Sequence, residues 1–313
     1  MASVEEKLAA LRQEIDAVDN QLHDLLMRRC ELAVQVGKVK AERQPVGSNP
    51  AEGAKFIRPA REAQILRRLV ARHNGKLPKA VIVRLWRELI SALLQVEGPF
   101  AVAVYSPDSE PGYWDIARDH YGSRVAVTGF DRVGLVLGAV QDGNATVGVV
   151  PVPREDDSDP WWRHLVAAGG PHVMGRLPFG DAGNHRGSPV EALVIGRAMN
   201  EPTGHDRSLL VVEPSREMSR SALKTAVTKA GLVPTFFAAW RSPHVGADLH
   251  LVEVEGFFPT GALAGSLSVQ DAAGTQAPLA ALTQGQLEGA HLTVIGSYAV
   301  PFSAQELGAA RRG

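Results

Sequence analysis

Apolar residues recur every three or four positions over the first forty residues of the chain. They are Leu8, Leu11, Ile15, Val18, Leu22, Leu25, Leu32, Val36 and Val39. This spacing is a heptad seam held over more than four repeats, and it predicts one helix from Val4 to Arg43. A helix of about 40 residues would be roughly 60 Å long at 1.5 Å per residue. Because such a rod is too long for one small globule, we expect it to lie against helices of a second copy.

One position of this seam is charged, since Arg29 stands where the repeat requires an apolar residue. A guanidinium on a packed helix face is costly unless an anion meets it. Lys40 lies three turns further on and points almost the same way, whereas Arg12 lies about 25 Å back along the axis. Arg12 of the same chain therefore cannot share a small pocket with Arg29 and Lys40, but Arg12 of an antiparallel partner could. The alternative is that these are solvated edge charges of an ordinary coiled coil.

Two shorter helices are predicted after a break at residues 44–53, where two Pro and two Gly forbid a helix. The second helix begins at Pro59 and ends at Asn74-Gly75. The third begins near Pro78 and carries a broad apolar stripe. The charged residues near the apolar faces of the three helices are Arg29, Lys40, Arg61, Glu62 and Glu97. Three bases and two acids in such places suggest a polar ligand inside a helical bundle.

From residue 100 the pattern changes to short apolar runs that are typical of strands. The first three, at 100–106, 124–129 and 145–153, alternate with two helical stretches and predict a small parallel α/β lobe. Later strands, together with a helix at 219–232, follow a βαββαβ-like order that predicts an α+β sandwich of ferredoxin-like type. We therefore expect a multidomain chain with an all-α domain at 1–98, an α/β lobe at 99–189 and an α+β domain at 190–313.

Composition limits the class of protein and its cofactors. A hydrophobic share of 45% and a charged share of 21% are typical of a soluble globular protein. The sequence contains no run of 18 apolar residues, so it predicts no membrane span. The first residues lack an apolar signal region, which favours the cytoplasm. Cys30 is the only cysteine, so intrachain disulfides and zinc ribbons are excluded. The ten histidines show no metal-binding spacing, and we expect neither a metal nor a cofactor.

Charge is unevenly distributed between the two parts of the chain. Residues 1–97 hold 17 Lys and Arg against 12 Asp and Glu, whereas the remainder holds 16 against 22. The basic excess forms no consecutive block and has no interleaved aromatic residues, which argues against nucleic-acid binding. A small anion in a pocket fits this distribution better.

Three segments, LAALRQEIDAVDNQLHDLLMRRCELAVQVGKVK, REAQILRRL and RLWRELISALL, resemble the all-helical chorismate mutases over about the first 98 residues. The resemblance implies an intertwined homodimer with two sites, each built from both chains. In it, Arg12 is donated by the partner and Arg29 binds a substrate carboxylate. Lys40 contacts the ether oxygen and the other carboxylate, Arg61 and Glu62 match the family's arginine–glutamate pair, and Glu62 takes the substrate hydroxyl.

The chain departs from this family's pattern at four places. Arg58 replaces the usual Asp three residues before Arg61, and Leu93 replaces the usual Ser of the third helix. The loop between the first two helices is longer. Glu97 stands where the family commonly has Gln at the ether oxygen, and it must be neutral to donate a hydrogen bond there.

The order of the parts resembles the bifunctional chorismate mutase–prephenate dehydratases, in which an ACT amino-acid-sensing domain comes last. DGNATVGVVPVP is similar to their first-lobe strand, and VEVEGF and VIGSYAV to their ACT domain. The second dehydratase lobe and the Thr-Arg-Phe signature are missing, so we expect no dehydratase activity. The ACT ligand motif remains only as Ser221-Ala222-Leu223, the candidate regulatory residues for an aromatic amino acid effector.

The sequence thus predicts a homodimeric enzyme that converts chorismate to prephenate in aromatic amino acid biosynthesis. The C-terminal part would be regulatory or structural. Two alternatives stay open, which are a non-catalytic dimeric sensor or interaction protein and a bifunctional mutase–dehydratase.

Overall fold

Three helices form the N-terminal part of the chain. The computed structural model describes residues 3–42, 56–155, 157–181, 183, 186–241, 248–263, 279, 282 and 287–308. The helices are α1 (Val4–Glu42), α2 (Pro59–Arg72) and α3 (Lys79–Glu97). All three agree with the heptad and cap signals, except that α2 ends two residues early because His73 takes an extended conformation (φ −76°, ψ 120°).

Helices α2 and α3 pack on the rest of the chain, whereas α1 leaves its apolar seam uncovered. Leu66 and Val70 of α2 and Val83 of α3 are buried together with Phe179 and Leu307. The nine seam residues of α1, by contrast, are each between 46% and 66% exposed. The heptad repeat is therefore present as an exposed apolar surface, interrupted at Arg29, along one side of a 39-residue helix.

A parallel sheet with crossing helices follows, as the sequence predicts. Its elements in chain order are β1 (Ala101–Tyr105), α4 (Gly112–Tyr121), β2 (Ala126–Phe130), α5 (Val133–Gln141) and β3 (Val147–Pro151). Strand β1 lies between β2 and β3 and is parallel to both. The prediction of a helical part followed by an α/β sheet part is thus confirmed.

Seven more strands extend the same sheet. They are β4 (His172–Leu177), β5 (Ala192–Gly196), β6 (Asp206–Glu213), β7 (Pro234–Arg241), β8 (Asp248–Glu255), β9 (Gly261–Leu263) and β10 (His291–Ala299), with α6 (Arg220–Lys229) after β6. The order is β2-β1-β3-β5-β4-β10-β6-β8-β7, and β9 pairs with β10. The sheet is continuous across the predicted boundary at residue 189, because β5 lies between β3 and β4.

Strands β4 and β10 meet at a single close contact, where Gly296 pairs with Val173. Gly296 has a φ of +148°, and a Cβ at this position would lie 2.1 Å from the Val173 carbonyl oxygen. Only glycine allows the two backbones to come so close. This parallel contact joins the strands β2-β1-β3-β5-β4 to the antiparallel group β10-β6-β8-β7. Strands β4 and β9 are absent from the sequence-based expectation, since HVMGRL has Gly and Arg in its middle.

No helix in the described ranges combines the length and the apolarity that a membrane crossing requires.

Candidate active site in the helical region

A cavity of about 430 Å³ lies between α1, α2 and α3. Its apolar walls include Val36, Ile65, Trp86, Ile90 and Leu94. Its charged lining residues are Arg29, Arg58, Arg61, Glu62, Arg68 and Glu97. Four of the six residues predicted for the site, Arg29, Arg61, Glu62 and Glu97, therefore line one space, which has an excess of positive charge.

Arg29 presents an unpaired guanidinium nitrogen in this region. Its Nη1 is buried and has no hydrogen-bond partner within the described part of the chain. Burial lowers the pKa of Arg29. A buried guanidinium nitrogen without a partner is costly, and an anion bound in the cavity would remove that cost.

The other two predicted residues are placed differently. Arg12 lies in the exposed first half of α1, about 25 Å along the axis from Arg29, and is not among the described residues that line the cavity. Lys40 belongs to α1, but its side chain lies outside the described residues. Glu97 is the last residue of α3, and its side chain lies beside Gly37 of α1.

Arg87 is a buried residue beside the predicted site that the sequence reasoning did not single out. Its side chain is only 5% exposed, and Nη1 donates to Oε2 of Glu62 at 2.7 Å. Its Nε donates to the carbonyl oxygen of His120 at 3.0 Å. The pair holds the Glu62 carboxylate at the cavity wall. A signal was present, because Val83, Arg87, Ile90 and Leu94 follow one heptad stripe and the arginine interrupts it as Arg29 does in α1.

We expect Arg87→Met to destabilise the protein by about 3–5 kcal/mol, because it would leave the Glu62 carboxylate without its buried partner. Arg28→Ala is the matched control, since Arg28 forms an exposed pair with Glu31 at 2.8 Å that is worth about 0–1 kcal/mol. Urea denaturation followed by circular dichroism measures both values. Equal losses for the two variants would show that the Arg87–Glu62 pair is not a buried ion pair in solution.

Two arginines tie α2 to the loop that precedes β6. Arg58, at the cavity edge, makes a two-pronged contact with Glu201 at 2.6–3.2 Å. Arg67 donates to Thr203, to the carbonyl oxygen of His205 at 2.8 Å and to that of Val300 at 3.0 Å. The helix that carries Arg61 and Glu62 is therefore held by the C-terminal part. Arg58, which replaces the Asp usual at this position in the all-helical chorismate mutases, thus has an ion-pair partner in Glu201.

The candidate regulatory residues begin helix α6. Ser221 is exposed, the backbone N–H of Ala222 donates to the hydroxyl of Ser219, which caps the helix, and Leu223 is fully buried in the core. Ser221 and Ala222 are thus the members of the motif that face solvent.

Comparison with known proteins agrees with the geometry of the helical part. Residues 11–98 match the family described as Chorismate mutase type II, so this part of the chain is a chorismate mutase domain. The bifunctional chorismate mutase/prephenate dehydratase of Pseudomonas aeruginosa is 33% identical over 153 residues, which are 49% of this chain and 40% of that protein. The protein of the same name from Aquifex aeolicus is 30% identical over 148 residues, or 47% and 39% of the two chains.

These matches cover less than half the length of the curated relatives. Among solved structures, the prephenate dehydratase from Streptococcus mutans aligns with a TM-score of 0.46 at 15% identity, covering 64% of this chain and 98% of that one.

Proposed function

We propose that the chain rearranges chorismate to prephenate in the cytoplasm, as a step of aromatic amino acid biosynthesis. The observation that carries this proposal is the unpaired guanidinium nitrogen of Arg29 beside a cavity that Arg61, Glu62 and Glu97 also line. The match of residues 11–98 to the mutase family indicates chorismate as the substrate.

The chemistry requires positioning and charge stabilisation only. The rearrangement is intramolecular, so no proton transfer and no covalent intermediate are needed. Arg29 and the Arg12 of a partner would clamp the two carboxylates and hold the reactive conformer. Negative charge develops on the ether oxygen as the C–O bond breaks, and a cation at that point stabilises the transition state more than the ground state. We assign that role to Lys40, with Glu97 as the second hydrogen-bond donor.

Glu62 would accept a hydrogen bond from the substrate hydroxyl. Its Oε2 accepts from Nη1 of Arg87, and a carboxylate has further lone pairs that can accept a second hydrogen bond. Arg61, one position earlier on α2, adds positive charge at the same wall of the cavity.

We further propose that two copies pair through α1. The seam residues form an extended exposed apolar surface on both sides of Arg29, and surfaces of that kind mark interaction sites. Antiparallel pairing of two α1 helices would bring the partner's Arg12 towards Arg29 and complete the set of cations.

Leu22→Glu should convert the dimer to a monomer, because it places a charge in the middle of the apolar seam, where Leu22 is 54% exposed in the single chain. His23→Glu is the control, since His23 is the next residue and lies off the seam. Light scattering coupled to gel filtration gives the mass of each variant. A Leu22→Glu dimer, or a monomeric wild type, would contradict pairing through this face.

The direct test of function is the loss of chorismate absorbance with the purified full chain. We expect turnover, with prephenate as the product. A folded dimer that leaves chorismate unchanged would favour the alternative of a non-catalytic sensor or interaction protein.

Prephenate dehydratase activity is the second candidate function, and the names of the relatives favour it. We propose that it is absent, because the chain lacks a Thr-Arg-Phe sequence and because β5 adds directly to β3 without an intervening lobe among the described residues. Formation of phenylpyruvate from prephenate by the purified chain would reverse this proposal.

For the C-terminal part we propose an ACT-like regulatory role. Strands β10, β6, β8 and β7 are neighbours in that order and all antiparallel, with α6 between β6 and β7, which supports a ferredoxin-like unit. An aromatic amino acid would bind near Ser221. Thermal-shift measurements with Phe, Tyr and Trp test this, and a shift that survives Ser221→Arg would place the effector elsewhere.

A further inference from the structure

A second cavity, of about 250 Å³, lies where the helical part meets the α/β part. Arg84 and Arg87 of α3, Asp119 and His120 of α4, and the segment from Pro178 to Asp181 after β4 line it. Much of the remaining wall is apolar and includes side chains of α3 and α4. This cavity is separate from the one that holds Arg29.

Two buried atoms of opposite charge at this cavity have no hydrogen-bond partner. They are Nη2 of Arg87 and Oδ2 of Asp119, and no other residue that the structure describes pairs with either. The remaining charged atoms of these groups are used, since Nη1 of Arg87 bonds Glu62 and Oδ1 of Asp119 bonds Arg84. Burial and the nearby Arg87 lower the pKa of His120 well below its usual value, so this ring adds no charge at neutral pH.

We propose that this cavity binds a small zwitterion with an apolar body, of the class of α-amino acids with an apolar side chain. The ligand's carboxylate bonds the free nitrogen of Arg87, its ammonium bonds the free oxygen of Asp119, and its side chain contacts the apolar wall. An anion alone would leave Oδ2 of Asp119 without a partner, a cation alone would leave Nη2 of Arg87 without one, and an apolar molecule would satisfy neither atom. Because the volume is below the 300–1,000 Å³ typical of larger ligands, an amino acid fits and a nucleotide does not.

Arg87 connects this site to the first cavity, because the same guanidinium bonds Glu62. A ligand at Nη2 and a carboxylate at Nη1 share one positive charge. Removal of the Glu62 charge therefore strengthens the attraction of Arg87 for the ligand's carboxylate. By linkage, the bound ligand weakens the interaction of Arg87 with Glu62. An effect of the ligand on turnover would rest on the proposed mutase function, whereas its binding does not.

Isothermal titration of the full chain with L-leucine tests the binding, with 4-methylpentanoate and 3-methylbutylamine as analogues that each lack one charge. We expect L-leucine to bind and each analogue to bind at least tenfold more weakly. Equal affinity for L-leucine and either analogue, or no detectable binding of L-leucine at millimolar concentration, would overturn the proposal.

Variants locate the site without reference to catalysis. Ala80→Leu fills the cavity from α3 and should abolish L-leucine binding, whereas Ala92→Leu, on the exposed side of the same helix, should leave it unchanged. Asp119→Asn should weaken L-leucine at least tenfold and leave 4-methylpentanoate unaffected. Glu62→Gln should tighten L-leucine several-fold. If Ala80→Leu still binds L-leucine, the amino acid binds at another site. The same conclusion follows if Ser221→Arg abolishes L-leucine binding while Ala80→Leu leaves it unchanged.

Discussion

Lys40→Ala should lower the rate of chorismate conversion on the order of 10²–10³-fold or more, mainly through kcat. The ammonium is assigned to the ether oxygen, where negative charge appears only as the C–O bond breaks, so its loss affects the transition state more than the bound substrate. Steady-state kinetics at saturating chorismate measure the change.

Lys38→Ala is the control for this variant. Lys38 is two positions earlier on α1, carries the same charge, is exposed and points to another side of the helix. Its replacement should leave kcat within about twofold, as expected for a surface substitution remote from the site. Near-normal turnover by Lys40→Ala, or an equal loss in both variants, would remove Lys40 from the site.

Arg29→Ala and Arg12→Ala should each lower activity on the order of 10²-fold, because each removes a cation that positions a carboxylate. If each site takes Arg12 from one chain and Arg29 from the other, an Arg12→Ala chain paired with an Arg29→Ala chain retains one intact site of two. Unfolding and refolding the two variants together at equal concentration should therefore recover about a quarter of wild-type activity, since half of the dimers are mixed.

No recovery in the mixture would mean that both arginines act within one chain or that the dimer does not form. Arg28→Ala provides the matched control for Arg29, because Arg28 is adjacent, exposed and paired with Glu31. Refolded Arg28→Ala should match refolded wild type, which separates loss of the site from loss during refolding.

The helical part could be predicted from the sequence because its signals are local. The heptad spacing predicts α1, the proline at position 59 marks the start of α2, and the same periodicity identifies Arg29 as a charge in an apolar row. The parallel β-α-β-α-β unit could be predicted in the same way, because a helical stretch of ordinary length separates each apolar run from the next.

The strand pairing across the middle of the sheet could not be predicted from local sequence patterns. Strand β4 has little strand character of its own, and its position depends on β5 at one edge and on the contact of Val173 with Gly296 at the other. Those partners are far apart in the sequence, so no local pattern records them. The continuity of the sheet across residue 189 has the same origin.

The sequence by itself determined which residues could form a cationic site, because helical periodicity places charges relative to an apolar face. Only the tertiary structure decided what those charges meet. It paired Glu62 with Arg87, Arg58 with Glu201 and Asp119 with Arg84, and it left one nitrogen of Arg87 and one oxygen of Asp119 unpaired beside a cavity. The reason is physical, since the cost of a buried charge depends on the three-dimensional position of its partner, and spacing along one helix does not contain that position.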